Sequence, residues 1–551
     1  MHSTFILNLA VIAVSVATVG AQNVIYSDRG STIQYPVSIN GIHLLSATAE
    51  DLTHALANNT ITTLQLVDAY ISRLEANDHQ GLNLRSVIEI APTARELARQ
   101  LDAERSNGTL RSELHGVPIV VKDNYNTDPG LGMNTTAGSY SLLGQTVKGD
   151  AFVVSRLRAA GLLILGKANL DEFAGERGIK PNTSGWSPRG GQTQAAYVFG
   201  GFAAGGDPLG SSSGSAVSVS AGFAALSLGT DTEGSISGPS SRAALFGLRP
   251  SVGLTSRTGV VPVSSSQDTT GPMGKSTWDI AAALGIMAAD DPEDEYSAAA
   301  IPFRHTNYTQ FLKKDGFKGL RIGIPRNPFW NATFDTFTGF RSDLIPKMEA
   351  SLVKMEAFGA TIIDPIEFPD PDAYSYGFPG GANRTNNGTI RIQYDVRNDM
   401  AQYLQTQLVN SSLRTLEDVI NENDKNAALE FPEGRCCQAT FVAANELGDK
   451  ATSAEYWLAK YAMDQLYING IAATMRQHNL DLLLIAGTSG ASRLGAIGRM
   501  PVGVVPVGLD DIGMPFGMMF VGKRFDEPTV LRAMYAYEKN FPPRALPPTL
   551  E

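Results

Sequence analysis

Cysteine is almost missing from this 551-residue chain: there are two, Cys436 and Cys437, side by side. Two such ligands cannot build a Cys-rich zinc site. The narrow geometry that a disulfide requires favours two free or partly buried thiols over a strained vicinal bridge. A core this large needs no staples, so the shortage does not exclude secretion. Histidine is scarce too. The seven residues show neither an H-E-x-x-H pattern nor clustered spacing, so no metal centre is expected. Charged residues make up only 18% and the net charge is −11. An acidic surface repels phosphate, which argues against nucleic-acid binding and polybasic membrane attachment. Low charge beside 43% hydrophobic and 8% aromatic residues excludes disorder as a global description. Beyond residue 21 no run of 18 apolar residues occurs, so the mature protein is expected to be soluble.

Residues 1–21 read as a secretory leader. The apolar stretch from Phe5 to Val19 is too short and too polar to span a bilayer comfortably. It ends in Val19-Gly20-Ala21, small residues suited to cleavage after Ala21, although no Lys or Arg precedes it. Nine N-x-[ST] sequons follow, at Asn58, Asn107, Asn134, Asn182, Asn307, Asn331, Asn383, Asn387 and Asn410. With a leader, they are glycosylation candidates in a eukaryotic secretory pathway. Asn134 and Asn182 lie near the candidate site in sequence and are the ones expected to stay unmodified.

Helical and strand signals alternate along the chain. Residues 63–76 place Leu66, Val67, Tyr70, Ile71 and Leu74 on one helical face, with Thr63 as cap. Asp150 is placed to cap a helix through Ala160, which Gly161 ends. Residues 212–228, rich in small side chains, read as one tightly packed helix, and 527–540 as the last. Strands are expected at 117–121, 162–165, 319–324, 360–363, 481–485, 502–506 and 516–521. The stretch 370–389 reads as an exposed loop. This alternation predicts an α/β fold: one large domain over 22–551, its sheet covered by helices on both faces.

Three segments bear chemistry. Gly116–Asn124 puts Lys122 at the end of an apolar strand, where burial disfavours the ammonium form; a lysine snorkelling from a strand end has the same spacing. Gly210-Ser211-Ser212-Ser213-Gly214-Ser215 opens the small-residue helix and also suits a plain capping turn. Gly229 to Pro239 forms a turn able to aim several backbone N–H groups at one point, as an oxyanion requires.

Together these segments resemble the amidase signature family. Thr135–Ser139, Gly247-Leu248-Arg249-Pro250 and Asp268–Met273 match as well, and the resemblance is best over 44–290. Gly185–Gln194, Ser264 and Gln267-Asp268 resemble the peptide amidase branch. The resemblance implies one large mixed sheet wrapped in helices, no cofactor, and a Ser-cisSer-Lys triad. Carried over by motif, Lys122 is the base, Ser211 the bridging serine and Ser235 the nucleophile. Backbone N–H groups of Thr232, Glu233, Gly234 and Ser235 form the oxyanion hole, and Gly191, Gln192 and Thr193 are substrate-binding candidates. The cis bond is read at Ser211–Ser212 or its neighbour rather than at Gly210–Ser211, and the sequence does not settle which. Peptide C-terminal carboxamides are the implied substrates, with small aliphatic or aryl amides as the alternative. Glu233 and Ser237 depart from the commoner glycine or aspartate and from arginine. The Glu233 carboxylate is expected near the acyl pocket, where it would repel anionic substrates.

Other readings compete. Gly210-Ser211-Ser212-Ser213-Gly214 satisfies G-x-S-x-G, but no strand precedes it and the late histidines, His305 and His478, have no distinctive setting. Gly161–Ala168 mimics a phosphate loop with an apolar strand at its centre and alanine in place of Ser/Thr. A secreted, non-catalytic glycoprotein that keeps the fold is a third possibility, opposed by the presence of all three reactive residues.

Overall fold

Eleven strands line up in one sheet whose central members are buried on both faces. The computed structural model describes residues 22–26, 32–181, 183–330, 342–374, 387–487 and 490–550; the expected leader lies outside them. In chain order the strands are β1 (Val87–Ile90), β2 (Pro118–Lys122), β3 (Leu163–Ala168), β4 (Leu226–Asp231), β5 (Phe246–Arg249), β6 (Thr269–Gly274), β7 (Arg321–Gly323), β8 (Thr361–Ile363), β9 (Leu482–Ala486), β10 (Val502–Leu509) and β11 (Pro515–Gly522). Across the sheet they run β8-β7-β9-β11-β10-β5-β6-β4-β2-β3-β1. β2 is parallel to both β3 and β4, while β4 is antiparallel to β6, so the sheet is mixed. β2, β3, β4, β6 and β11 are buried throughout, as a sheet covered on both faces requires.

The helices that matter for the site are α1 (Thr63–Asn77), α2 (Phe152–Ala159), α3 (Ser213–Ser220), α4 (Ser237–Arg242), α5 (Asn387–Gln407) and α6 (Glu527–Asn540). Three boundaries differ from expectation. α1 is capped by Thr62, not Thr63: Thr62 Oγ1 accepts the Gln65 N–H while Gln65 Oε1 accepts the Thr62 N–H, a capping box that needs a residue just outside the helix. Asp150 does not cap α2. It accepts the Asp128 N–H at 2.7 Å and pairs with Arg158, leaving Ala151 at the cap position. The small-residue segment is not one helix to residue 228. α3 stops at Ser220, Gly222 turns at φ 69° against the Leu44 carbonyl, and the remainder becomes β4. Most of the expected loop at 370–389 lies outside the described residues, and its end already belongs to α5.

Cys436 and Cys437 are joined by a disulfide rather than free. Cys437 adopts φ 78° and both backbone groups of Cys436 bond Lys180, which holds the two residues in a fixed turn. Among the described residues no helix is long and apolar enough to cross a membrane, and no group of three His, Cys, Asp or Glu could hold a metal.

Candidate active site

β2 and β4 are parallel neighbours, with Val121 beside Leu228, so their C-terminal ends open at the same edge. Lys122 closes β2 with a fully buried side chain. Its Nζ lies 2.7 Å from Ser211 Oγ and 2.9 Å from Thr230 Oγ1. Thr230 Oγ1 also accepts Asn124 Nδ2 at 3.0 Å. The Asn124 amide takes one lone pair of that hydroxyl, and the other is open to an N–H of Lys122. With that N–H so placed, a neutral Lys122 has its lone pair for the Ser211 proton. Burial pulls the amine down to about 7, against the carboxylates of Asp171, Asp231 and Asp268. Activity that depends on this amine is therefore absent where it is protonated. We expect kcat/KM to rise with pH through about 7 and then level. A profile flat from pH 6 to 8 on a non-titrating amide would contradict that dependence.

The serine-rich turn spends most of its hydroxyls on structure. Ser212 Oγ meets the Thr230 carbonyl at 3.1 Å, Ser213 Oγ the Leu209 carbonyl at 2.7 Å, and Ser215 Oγ the Leu228 carbonyl at 2.9 Å. Ser211 alone of these faces Lys122. The cis bond is Gly210–Ser211, on the side opposite to that expected. A side chain at Gly210 would strike the Asp171 carboxylate, and the Asp171 N–H donates to the Ser211 carbonyl at 3.1 Å. Asp171 is thus a site residue that the sequence reading missed. Burial raises its carboxyl to about 6.

Ser235 follows β4, and the Ser212 N–H donates to its carbonyl at 3.2 Å, which holds it beside the Ser211 turn. Its side chain makes no hydrogen bond among the described residues, and the residue is 8% exposed, at the open end of the group. The loop around it is folded by Asp231. One carboxylate oxygen accepts Gly234 N–H at 2.8 Å, and the other accepts Ile236 N–H at 2.8 Å and Ser237 N–H at 3.2 Å. Gly234 is therefore already committed. Of the four expected oxyanion donors, Thr232, Glu233 and Ser235 keep N–H groups without a partner among the described residues.

Asp231 is balanced by Arg249, 3.2 Å away and equally buried. Removing one partner of a buried pair leaves an uncompensated charge. Arg249→Met should cost about 3–5 kcal/mol of stability, read as a shifted urea midpoint; a change below about 1 kcal/mol would show that Arg249 does not support this loop.

Glu233 does not stand as a bare anion. Arg493 Nε lies 2.9 Å from its carboxylate, so the expected repulsion of anionic substrates is largely neutralised. Glu176, also missed by the sequence reading, is pushed up to about 8 by burial, with Asp268 and Glu233 adding. Of the three substrate-binding candidates only Thr193 is buried; Gly191 and Gln192 are partly exposed. Gly191 and Gln192 form a short hairpin with Trp186 and Ser187, Gln192 Nε2 donates to Ser184 O at 2.6 Å, and Thr193 Oγ1 donates to Arg85 O at 3.0 Å. The Gln192 amide nitrogen and the Thr193 hydroxyl are thus held by backbone carbonyls.

A family model described as Amidase matches residues 65–499. The chain belongs to the amidase family. A probable amidase of Arabidopsis thaliana is 37% identical over 515 residues, covering 93% of both chains. Among solved structures, the native peptide amidase from Stenotrophomonas maltophilia aligns with a TM-score of 0.81 at 34% identity, covering 91% of this chain and 98% of that one. An amidase family protein from Bacillus anthracis aligns with a TM-score of 0.80 at 30% identity, covering 92% of each. This amidase is a hydrolase of amide C–N bonds, and its single mixed-sheet domain is the amidase signature fold.

Proposed function

We propose that the chain hydrolyses carboxamides through an acyl-enzyme formed on Ser235, with Ser211 and Lys122 as a proton relay. The observation that carries this reading is the buried Lys122 amine, 2.7 Å from Ser211 Oγ and 2.9 Å from Thr230 Oγ1. Lys122 takes the Ser211 proton while Ser211 takes that of Ser235, which attacks the amide carbon. The Ser211–Ser235 bond closes as substrate binds, since catalytic hydrogen bonds often tighten only in the Michaelis complex. The free N–H groups of Thr232, Glu233 and Ser235 meet the oxygen as it gains charge; losing one such donor costs roughly 3 kcal/mol of barrier. The relay returns a proton to the departing nitrogen, and water then releases the acyl group.

Peptide C-terminal carboxamides are the favoured substrates, on the sequence resemblance and the likeness to the Stenotrophomonas peptide amidase. Ammonia release from a panel of peptide amides and simple aliphatic and aryl amides tests this, and turnover of the simple amides alone would sink it. The leader and the sequons support a secreted glycoprotein. Asn58, Asn107, Asn307, Asn387 and Asn410 are exposed, whereas the Asn134 side chain donates to Glu89 Oε1 at 3.0 Å. Asn182, Asn331 and Asn383 lie outside the described residues. A mass shift on glycosidase treatment of the protein from culture medium tests secretion and glycosylation together.

A further inference from the structure

Arg391, in the first turns of α5, is 0% exposed, yet among the described residues none of its three guanidinium nitrogens has a hydrogen-bond partner. Arginine stays charged in proteins, and an uncompensated buried charge is strongly unfavourable. The anions around it are taken. Asp395, one turn along the helix, receives Lys450 Nζ and Tyr456 Oη on one oxygen, each at 2.9 Å, and the hydroxyls of Ser264 and Ser266 on the other. Glu233 is held by Arg493. Both carboxylates act on Arg391 electrostatically without bonding it.

The position of Arg391 ties it to the site. Asp395 bonds Ser264, the Ser264 N–H donates to Asp268 at 2.9 Å, and Asp268 accepts the Thr232 hydroxyl at 2.6 Å. That chain of bonds fastens α5 to the loop carrying Ser235, with Arg391 within reach of the Glu233 charge. We propose that Arg391 receives a carboxylate carried by the amide substrate, so that the enzyme favours acidic amides over neutral ones. This rests on the amide-hydrolase reading above. One cation without a bonded anion among the described residues suits the single charge of a carboxylate, whose two oxygens fit the guanidinium fork.

The test compares ammonia release from N-acetyl-glutamic acid α-amide and N-acetyl-norleucine amide by the full chain. The ratio of kcat/KM, acidic over neutral, should exceed one. It should fall about 10- to 100-fold in Arg391→Met, the loss of a charge-assisted bond, and partly recover in Arg391→Lys. Arg391→Met should melt no lower than the parent, because it removes an unpaired buried charge. An unchanged ratio, a parent that prefers the neutral amide, or a large drop in melting temperature would each overturn the proposal. Turnover of the neutral amide alone would defeat this inference and leave the hydrolase reading standing. Release from neither amide would defeat both.

Discussion

Ser235→Ala should reduce amide turnover by on the order of 10⁵-fold or more, the scale seen when a serine nucleophile is removed from a triad. It should equally abolish covalent labelling by a fluorophosphonate. The expected size follows from how little else can act. Ser212, Ser213 and Ser215 are bonded to backbone carbonyls, and Ser211 is engaged by Lys122. Ser235 alone of this group offers a hydroxyl that is both unbonded and accessible. Because its side chain holds nothing in place, the variant should melt with the parent within about 0.5 kcal/mol. An alanine variant that retains labelling, or that loses activity only by unfolding, would move the nucleophile elsewhere.

Lys122→Met should lower kcat by on the order of 10⁶-fold, the scale seen when the base of a serine hydrolase's triad is lost. Methionine roughly fills the volume of the lysine stem and removes only the amine. The informative companion is Lys122→Arg. An arginine keeps positive charge at the same position, but it cannot shed its proton to act as a base. If Lys122 worked as a fixed positive charge, the arginine variant would retain much of the rate. If it works as a base, both variants should be inactive, and neither should show the rise of kcat/KM through pH 7. Steady-state kinetics across pH 6–9 with folded protein decide between the two. Appreciable turnover in purified Lys122→Met would end the relay mechanism.

The roles proposed for these residues come from the family resemblance, which rests on contiguous motifs. Taken alone, Lys122 at the end of an apolar strand also suits a snorkelling lysine, and the turns holding Ser211 and Ser235 a plain cap and loop. Alternation of short apolar runs and amphipathic helices likewise gave the α/β class and most strand positions. The misread pieces share a cause. β4 and β6 are full of Gly, Ser, Thr and Pro, and their strand character comes from burial between neighbours, not from intrinsic preference. Thr62 and Thr63 are equal candidates for a cap until the reciprocal bond with Gln65 selects one.

What the sequence determined alone is the family, the reaction class and the identity of the three residues proposed for the chemistry. Each is encoded by residues close together in the chain, where local backbone needs restrict the choice. Tertiary structure alone decided how charge is distributed around them. Asp171 and Asp231 approach Lys122, Arg493 quenches Glu233, and Arg391 has no hydrogen-bonded anion among the described residues, although these residues are scattered from 122 to 493. The physical reason is that a charge is set by whatever the fold brings within a few ångströms and by the water it removes, and neither quantity is written in any one stretch of residues.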